Sequence, residues 1–209
     1  MTLRMLVLLR HGQTDYNVAG RMQGHIDSVL TETGVAQAAQ VAPAIARLAP
    51  DRLISSDLSR AADTADAVAA ACGQAVKLDA RLRETHLGDW QGQTVEEIET
   101  GYPGAIAHWR SDPAWAPPGG ESRIDVVRRS LPVVEELDEE YSAEDAADVT
   151  AVLIAHGGLI AGLVCGLLAL PTSAWPSIGG LGNCRWAALG RRSDHPRWRL
   201  TGYNVGVHQ

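Results

Sequence analysis

Met5-Leu6-Val7-Leu8-Leu9, followed at once by Arg10-His11-Gly12, is the stretch on which the reading of this chain turns. Consecutive apolar residues bounded by charge read as a strand buried on both faces, and such strands belong to parallel sheets covered by helices. Val149-Thr150-Ala151-Val152-Leu153-Ile154-Ala155 repeats the pattern and also runs into a histidine and glycines, His156-Gly157-Gly158. Arg52–Ser55 and Ala75–Asp79 are further strand candidates, as are Trp186–Leu189 and Trp198–Tyr203 near the C-terminus.

Ala-rich helical stretches lie between them. Thr31 to Leu48 places Val35, Ala38, Ala39, Ala42, Ile45 and Ala46 on one face. Asp57 is placed to cap a helix from Leu58 to about Ala71. Thr94-Val95-Glu96-Glu97 matches a capping box, and Ser122 caps a helix running toward Glu140. The acidic stretch Asp138 to Asp148 has no periodicity and reads as a solvated loop. Strands alternating with helices predict an α/β protein, a three-layer α/β/α sandwich around a mostly parallel sheet, in one domain over residues 1–209.

With 209 residues, 45% hydrophobic and 21% charged, the chain is long enough for a full core and excludes a disordered, collagen-like or coiled-coil protein. A net charge of −7 disfavours nucleic acid and anionic membrane as partners. Every cation except Lys77 is Arg. Cys72, Cys165 and Cys184 form no C-x-x-C pair, which favours a reducing compartment over a disulfide framework. The longest uncharged apolar stretch, Gly157 to Leu170, is shorter than the about 20 residues of a bilayer span. A cytoplasmic protein is the expectation.

The chemistry gathers at strand ends. In open α/β sheets ligands sit outside the carboxyl ends of the strands, where His11 and His156 both fall. The glycine after each lets backbone N–H groups approach a ligand. Arg60 falls in the first turn of a helix, where a cation opposes the dipole unless an anion is bound there. Glu84 follows the third strand at the same edge, unless it merely pairs with Arg81 or Arg83. Two guanidiniums present forks to a tetrahedral dianion; one imidazole can attack phosphorus, the other can hold an oxygen, and a carboxyl can protonate the leaving alkoxide. A metal site is disfavoured: no H-E-x-x-H or C-x-x-C occurs, and Arg10 beside His11 repels a cation.

Leu9-Arg10-His11-Gly12-Gln13-Thr14 with Asn17, Ser55-Ser56-Asp57-Leu58-Ser59-Arg60-Ala61, Glu84 and Ala155-His156-Gly157-Gly158 resemble, in order, the motifs of the histidine phosphatase superfamily, the phosphoglycerate-mutase-like fold. The resemblance implies a phosphorylated nucleophile at His11, a proton donor at Glu84, and a phosphate pocket of Arg10, Arg60 and His156 assisted by Asn17 and the Gly157 amide. It implies no metal and no other cofactor, and a small phosphorylated molecule as substrate. Glu84-Thr85-His86-Leu87-Gly88-Asp89-Trp90-Gln91-Gly92 is similar to the phosphatase branch rather than to the mutases, whose longer chains shield the phosphohistidine from water. Mutase activity, a broad acid phosphatase and, more remotely, a non-catalytic phospho-ligand binder are the competing readings.

Several stretches, Trp115-Ala116-Pro117 and Gly119-Gly120-Glu121-Ser122-Arg123 among them, resemble the members that act on glycosylated phosphoglycerates. Gln23, His86, Trp90, Trp115 and Arg123 are the candidates for contact with the glyceryl or sugar portion, although Trp90 and Trp115 serve equally well as packing anchors and His86 as a solvent-facing residue. An anionic substrate on an acidic protein requires a locally positive pocket with the acidic residues elsewhere. The resemblance leaves a homodimer open, and no stripe of the sequence identifies an interface.

Overall fold

The apolar run at the start of the chain becomes β1 (Thr2–Arg10), with Leu6, Val7, Leu8 and Leu9 wholly buried. The computed structural model describes residues 2–141, 148–192 and 195–207. After β1 come α1 (Asp15–Val18), α2 (Glu32–Ala46), β2 (Arg52–Ser55), α3 (Ser59–Cys72) and β3 (Val76–Leu78). Then follow α4 (Val95–Gly101), α5 (Ala105–Ser111), α6 (Arg123–Glu140), β4 (Asp148–Ala155), α7 (Gly157–Leu167), β5 (Trp186–Arg192) and β6 (His195–Val205).

The six strands form one sheet in the order β3-β2-β4-β1-β5-β6. The first four are parallel, and β5 and β6 are antiparallel additions at one side. Side chains alternate across β1 and β4 as the pleat demands. Leu6, Leu8, Leu153 and Ala155 pack under α6 and α7 on one face, while Val7, Leu9, Val152 and Ile154 pack under α2 and α3 on the other. This is the three-layer sandwich that the sequence predicts. A smaller apolar cluster of Leu87, Trp90, Ile98 and Ile106 joins α4 and α5.

Three local expectations change. The apolar stripe of α2 is Gly34, Ala38, Val41, Ala42 and Ile45, and Val35 is 58% exposed. The helix is rotated because Gly34 must face the β1 exit: a Cβ on Gly12 would lie 2.5 Å from the Gly34 carbonyl oxygen. Asp57 does not cap α3. It pairs with Arg83, while Asp27 reaches in from a distant loop to accept the Ser59 N–H at 2.8 Å and its hydroxyl at 2.6 Å. The acidic stretch is not one solvated loop, since Asp138, Glu139 and Glu140 close α6 and Asp148 opens β4; residues 142–147 lie outside the described residues. The capping box at Thr94 forms as expected, and the cap expected at Ser122 forms as a box with Asp125.

Since Leu58 offers α3 no side-chain cap, both acceptors at its N-terminus come from Asp27. Asp27→Ala should therefore lower stability by about 1–2 kcal/mol in urea unfolding. The half-buried Asp57–Arg83 pair, open to solvent on one side, should matter less, with about 0.5 kcal/mol lost in Asp57→Ala. The reverse order would contradict the capping assignment.

Candidate active site

Each parallel strand delivers one part of the site at its carboxyl end. β1 ends in Arg10 and passes to His11; β2 passes to Ser56; the chain after β3 makes a 3-10 turn, Ala80–Leu82, and reaches Glu84; β4 passes to His156. Arg10, His11, Arg60 and Glu84 line one cavity of about 200 Å³, together with Asn17, Gln23 and Gly158. A wider cavity of about 610 Å³ shares Arg10, Glu84 and Gly158 with it and extends along Trp109, Arg123, Gly157 and Trp175.

His11 is buried, and its Nδ1 lies 2.6 Å from the Gly12 carbonyl. A carbonyl only accepts, so Nδ1 carries the proton and Nε2 keeps its lone pair. The Gly12 N–H donates to Thr64 Oγ1 at 3.1 Å, and that hydroxyl donates to the Arg60 carbonyl, which fastens the loop to α3. The ring of His156 stands 5.2 Å from that of His11. Its Nε2 is 2.9 Å from Ser56 Oγ, which leaves Nδ1 buried and without a partner.

Arg60 is fully buried at the start of α3. Its Nη1 donates to the Ile26 carbonyl and its Nη2 to the Gly24 carbonyl, both at 2.8 Å. Arg10 donates through Nη1 to the Leu181 carbonyl. Neither has a carboxylate partner, and the Nε of each is a buried donor with no acceptor. Burial pushes the Arg60 guanidinium down to about 10, which leaves it charged at neutral pH. Burial lowers Arg10 in the same direction, and Glu84 opposes the shift. The two histidines are pushed well below their ordinary value, first by burial and then by the arginines, and are neutral.

Glu84 pairs with neither neighbouring arginine: Arg81 is held by Asp79 and Glu136, and Arg83 by Asp57. Its carboxylate instead caps α7, whose own N-cap residue His156 makes no side-chain cap. Oε2 accepts the Gly158 N–H, and Oε1 the Leu159 and Thr85 N–H groups, each at 2.9 Å. Only glycine allows this approach, because a Cβ at position 158 would stand 2.7 Å from Oε1. Two cations fixed by backbone carbonyls, a neutral imidazole with a free Nε2 and a carboxylate anchored by amides can bind a phosphate dianion, attack it and exchange a proton with an adjacent oxygen.

A sequence model of the histidine phosphatase superfamily (branch 1) matches residues 6–205. The chain belongs to that superfamily. The glucosyl-3-phosphoglycerate phosphatase of Mycolicibacterium vanbaalenii is 50% identical over 218 residues, covering 99% of this chain and 97% of the relative. The protein of the same name from Mycobacterium tuberculosis is 49% identical over 216 residues, covering 99% and 97%. A solved structure of the mycobacterial glucosyl-3-phosphoglycerate phosphatase with VO3 superposes with a TM-score of 0.91 at 50% identity, covering 97% of this chain and 100% of that one.

Of the candidates for further contacts, Asn17 and Gln23 line the inner cavity and Gly157 and Arg123 the outer one. Asn17 Oδ1 accepts from the Thr14 N–H and the Asn183 amide, so its own amide nitrogen is the group available to a ligand. Gln23 Oε1 is likewise occupied by the Thr14 and Ser28 hydroxyls. His86, Trp90 and Trp115 do not reach either cavity. Trp90 is the buried centre of the α4–α5 cluster, with Trp115 packed 5.4 Å from it, both rings recruited by the apolar area they remove from water. His86 turns to the Gly119 carbonyl and the ring of His25.

Trp109, Met22 and Thr85, which the sequence did not single out, line both cavities. Glu84 is also held from behind: His25 Nε2 and Arg129 Nη2 each donate to its carbonyl at 2.8 Å, and Glu121 accepts from Arg129 Nε at 2.8 Å and from Nη2 at 2.9 Å. No sequence signal joins these residues, since the contacts cross three separate segments.

Neutral buried histidines set an acid limit to stability. Below their ordinary value of 6.5 the unfolded chain takes up protons that folded His11 and His156 refuse. Stability is therefore undiminished by them above that pH and falls as the pH drops below it, by up to about 1.4 kcal/mol per pH unit for each ring. Urea unfolding at about pH 7.5 and about pH 5.5 measures this loss. His156→Gln should cut it by about half, since His11 remains, and an unchanged slope would contradict a buried neutral ring at position 156.

Proposed function

We propose that this chain hydrolyses glucosyl-3-phosphoglycerate to glucosylglycerate and phosphate through a phosphohistidine on His11, without a metal. The observation that carries the chemistry is the meeting of a neutral His11, whose Nε2 is free, with two buried donors that lack acceptors, Arg10 Nε and Arg60 Nε, beside the unpartnered Nδ1 of buried His156. Unpaired donors in a dry site are costly unless an anion completes them, and a phosphoryl group offers acceptors on every side. The substrate reading is supported by the glucosyl-3-phosphoglycerate phosphatases that are about half identical over nearly the whole chain, and by the wider cavity beyond Glu84. At about 610 Å³ it has the size of a pocket for a small organic ligand rather than for phosphate alone.

In the first step Nε2 of His11 forms a bond to phosphorus, the ester P–O bond breaks, and the Glu84 carboxyl gives its proton to the departing alkoxide. In the second, the Glu84 carboxylate takes a proton from water, the water oxygen attacks phosphorus and the N–P bond returns its electrons to the imidazole. Glu84 lines both cavities, so it stands where the ester oxygen passes from the phosphate site to the leaving-group site. Residence in the cytoplasm belongs to the same reading and accords with three cysteines that are free thiols.

Phosphate release in EDTA from glucosyl-3-phosphoglycerate, 3-phosphoglycerate, mannosyl-3-phosphoglycerate and an aryl phosphate tests the proposal. A preference of about a hundredfold for the glucosylated substrate is expected, near 3 kcal/mol. Isomerised phosphoglycerate in place of free phosphate would identify a mutase, and a flat profile would remove the substrate assignment. His11→Ala should abolish the acid-labile phosphoenzyme and lower turnover by at least about ten-thousand-fold. Gly158→Ala, which drives the Glu84 carboxylate off its amides, should lower kcat by about tenfold or more, equivalent to about 1.4 kcal/mol. Unchanged kcat in that variant would show that the anchoring of Glu84 is irrelevant to the reaction.

A further inference from the structure

Most arginines of this chain are neutralised. Arg4, Arg21, Arg52, Arg81, Arg83, Arg128, Arg129 and Arg191 all lie within ion-pair distance of a carboxylate. Arg47, Arg110, Arg185, Arg192, Arg197 and Arg199 are exposed at the protein surface. Among the described residues, the arginines that are neither exposed nor paired with a carboxylate are Arg10, Arg60 and Arg123. The first two serve the phosphate site.

Arg123 is the first residue of α6, and it lines the outer cavity together with Glu84 and Trp109. Its Nη2 donates at 3.1 Å to the carbonyls of Trp109 and Arg110 at the end of α5, and its guanidinium carbon stands 5.6 Å from the centre of the Trp109 ring. These contacts hold the guanidinium through Nη2 and leave Nε and Nη1 as donors with no protein acceptor. Burial pushes this guanidinium below its usual value, and the one ionisable side chain acting against that shift is the Cys165 thiol. The other charged groups of the outer cavity are Arg10, Arg110 and Glu84, and the last is committed to the amides of α7. A desolvated cation, oriented by stacking and facing a cavity with no free acid, is a site for an anion.

We propose that Arg123 reads a carboxylate on the leaving alcohol, which makes the enzyme selective for phosphomonoesters of hydroxy acids. This deepens the phosphatase reading and rests on it. Phosphorus is held between His11, Arg10 and Arg60, and the ester oxygen departs past Glu84, so the rest of the leaving group enters the cavity that Arg123 lines. The Trp109 indole, packed against Arg123, lines both spaces. A carboxylate accepts a charge-assisted hydrogen bond from the free Nη1 or Nε and neutralises the guanidinium, whereas a carboxamide can accept the hydrogen bond but leaves the desolvated charge uncompensated.

The test compares glucosyl-3-phosphoglycerate with its carboxamide, using the full chain and an aryl phosphate as control. The wild-type protein should prefer the acid by about tenfold or more in kcat/KM, and a smaller preference overturns the proposal without any variant. In Arg123→Gln the preference should collapse to about threefold or less, and Arg123→Lys should retain part of it. A preference that survives in Arg123→Gln assigns the carboxylate to another group and overturns the proposal. A chain that turns over the aryl phosphate but treats acid and amide alike keeps the phosphatase reading and loses this one. Release of phosphate from none of the three substrates removes both.

Discussion

Positive charge taken out of water without a carboxylate paired directly to it is the constraint around which this molecule is arranged. Arg10 and Arg60 are held at the carboxyl edge of the sheet by backbone carbonyls, which orient the guanidiniums without pairing them to a carboxylate. The same two cations help keep His11 and His156 neutral, so anion binding and nucleophilicity have one electrostatic origin. The net charge of −7 does not weaken this arrangement. Asp148, Glu140 and Asp138 pair with Arg4, Arg52 and Arg191, on residues near the opposite ends of β1, β2 and β4 or on β5. Acidic residues are thereby spent on surface pairs away from the site, and at physiological salt separated charges of this kind are screened beyond about 8 Å.

Two helices begin at the site, and neither supplies its own side-chain cap. Asp27 completes α3 from a loop that Arg60 also grips, so the loop and the buried cation hold each other in place. Glu84 completes α7, and the cap is the carboxylate proposed to move the proton. Capping therefore does double service: it satisfies helix amides and aims a reactive group. The cost is a requirement for glycine at position 158, where any side chain would collide with the carboxylate it is meant to receive.

Chemistry and selectivity occupy different parts of the architecture. The phosphate site is carried by strand ends and the first turns of α3 and α7, which the central core makes rigid. The outer cavity is walled by α5, the start of α6 and the 3-10 segment Thr172–Ser177, which contribute Trp109, Arg123 and Trp175. Trp90 and Trp115 act at one remove, as the packed mass that supports Trp109. A family whose members share the first part and vary the second can retain one reaction while changing the leaving group.

The buried strands, the motifs ending them and hence the position of His11, Arg10, Arg60, Glu84 and His156 at one edge were legible in the sequence. Hydrophobic pattern and the topology of parallel sheets suffice to place residues at strand ends. The caps at Thr94 and Ser122 were legible for the same reason, since each is written within four consecutive residues. What depended on contacts between distant segments was not. Asp57 looked like a cap and is an ion-pair partner, because Asp27, 32 residues from Ser59, reaches the helix first. Trp90 stood in the sequence as either a sugar contact or a packing anchor and is a core residue, while Trp109 lines the cavity, because α4 and α5 fold their apolar faces onto one another and only packing decides which ring remains at the surface of the cluster. The linear order of residues determined which groups could do chemistry; the fold decided which of them are paired, which are left without a partner, and therefore which must wait for a ligand.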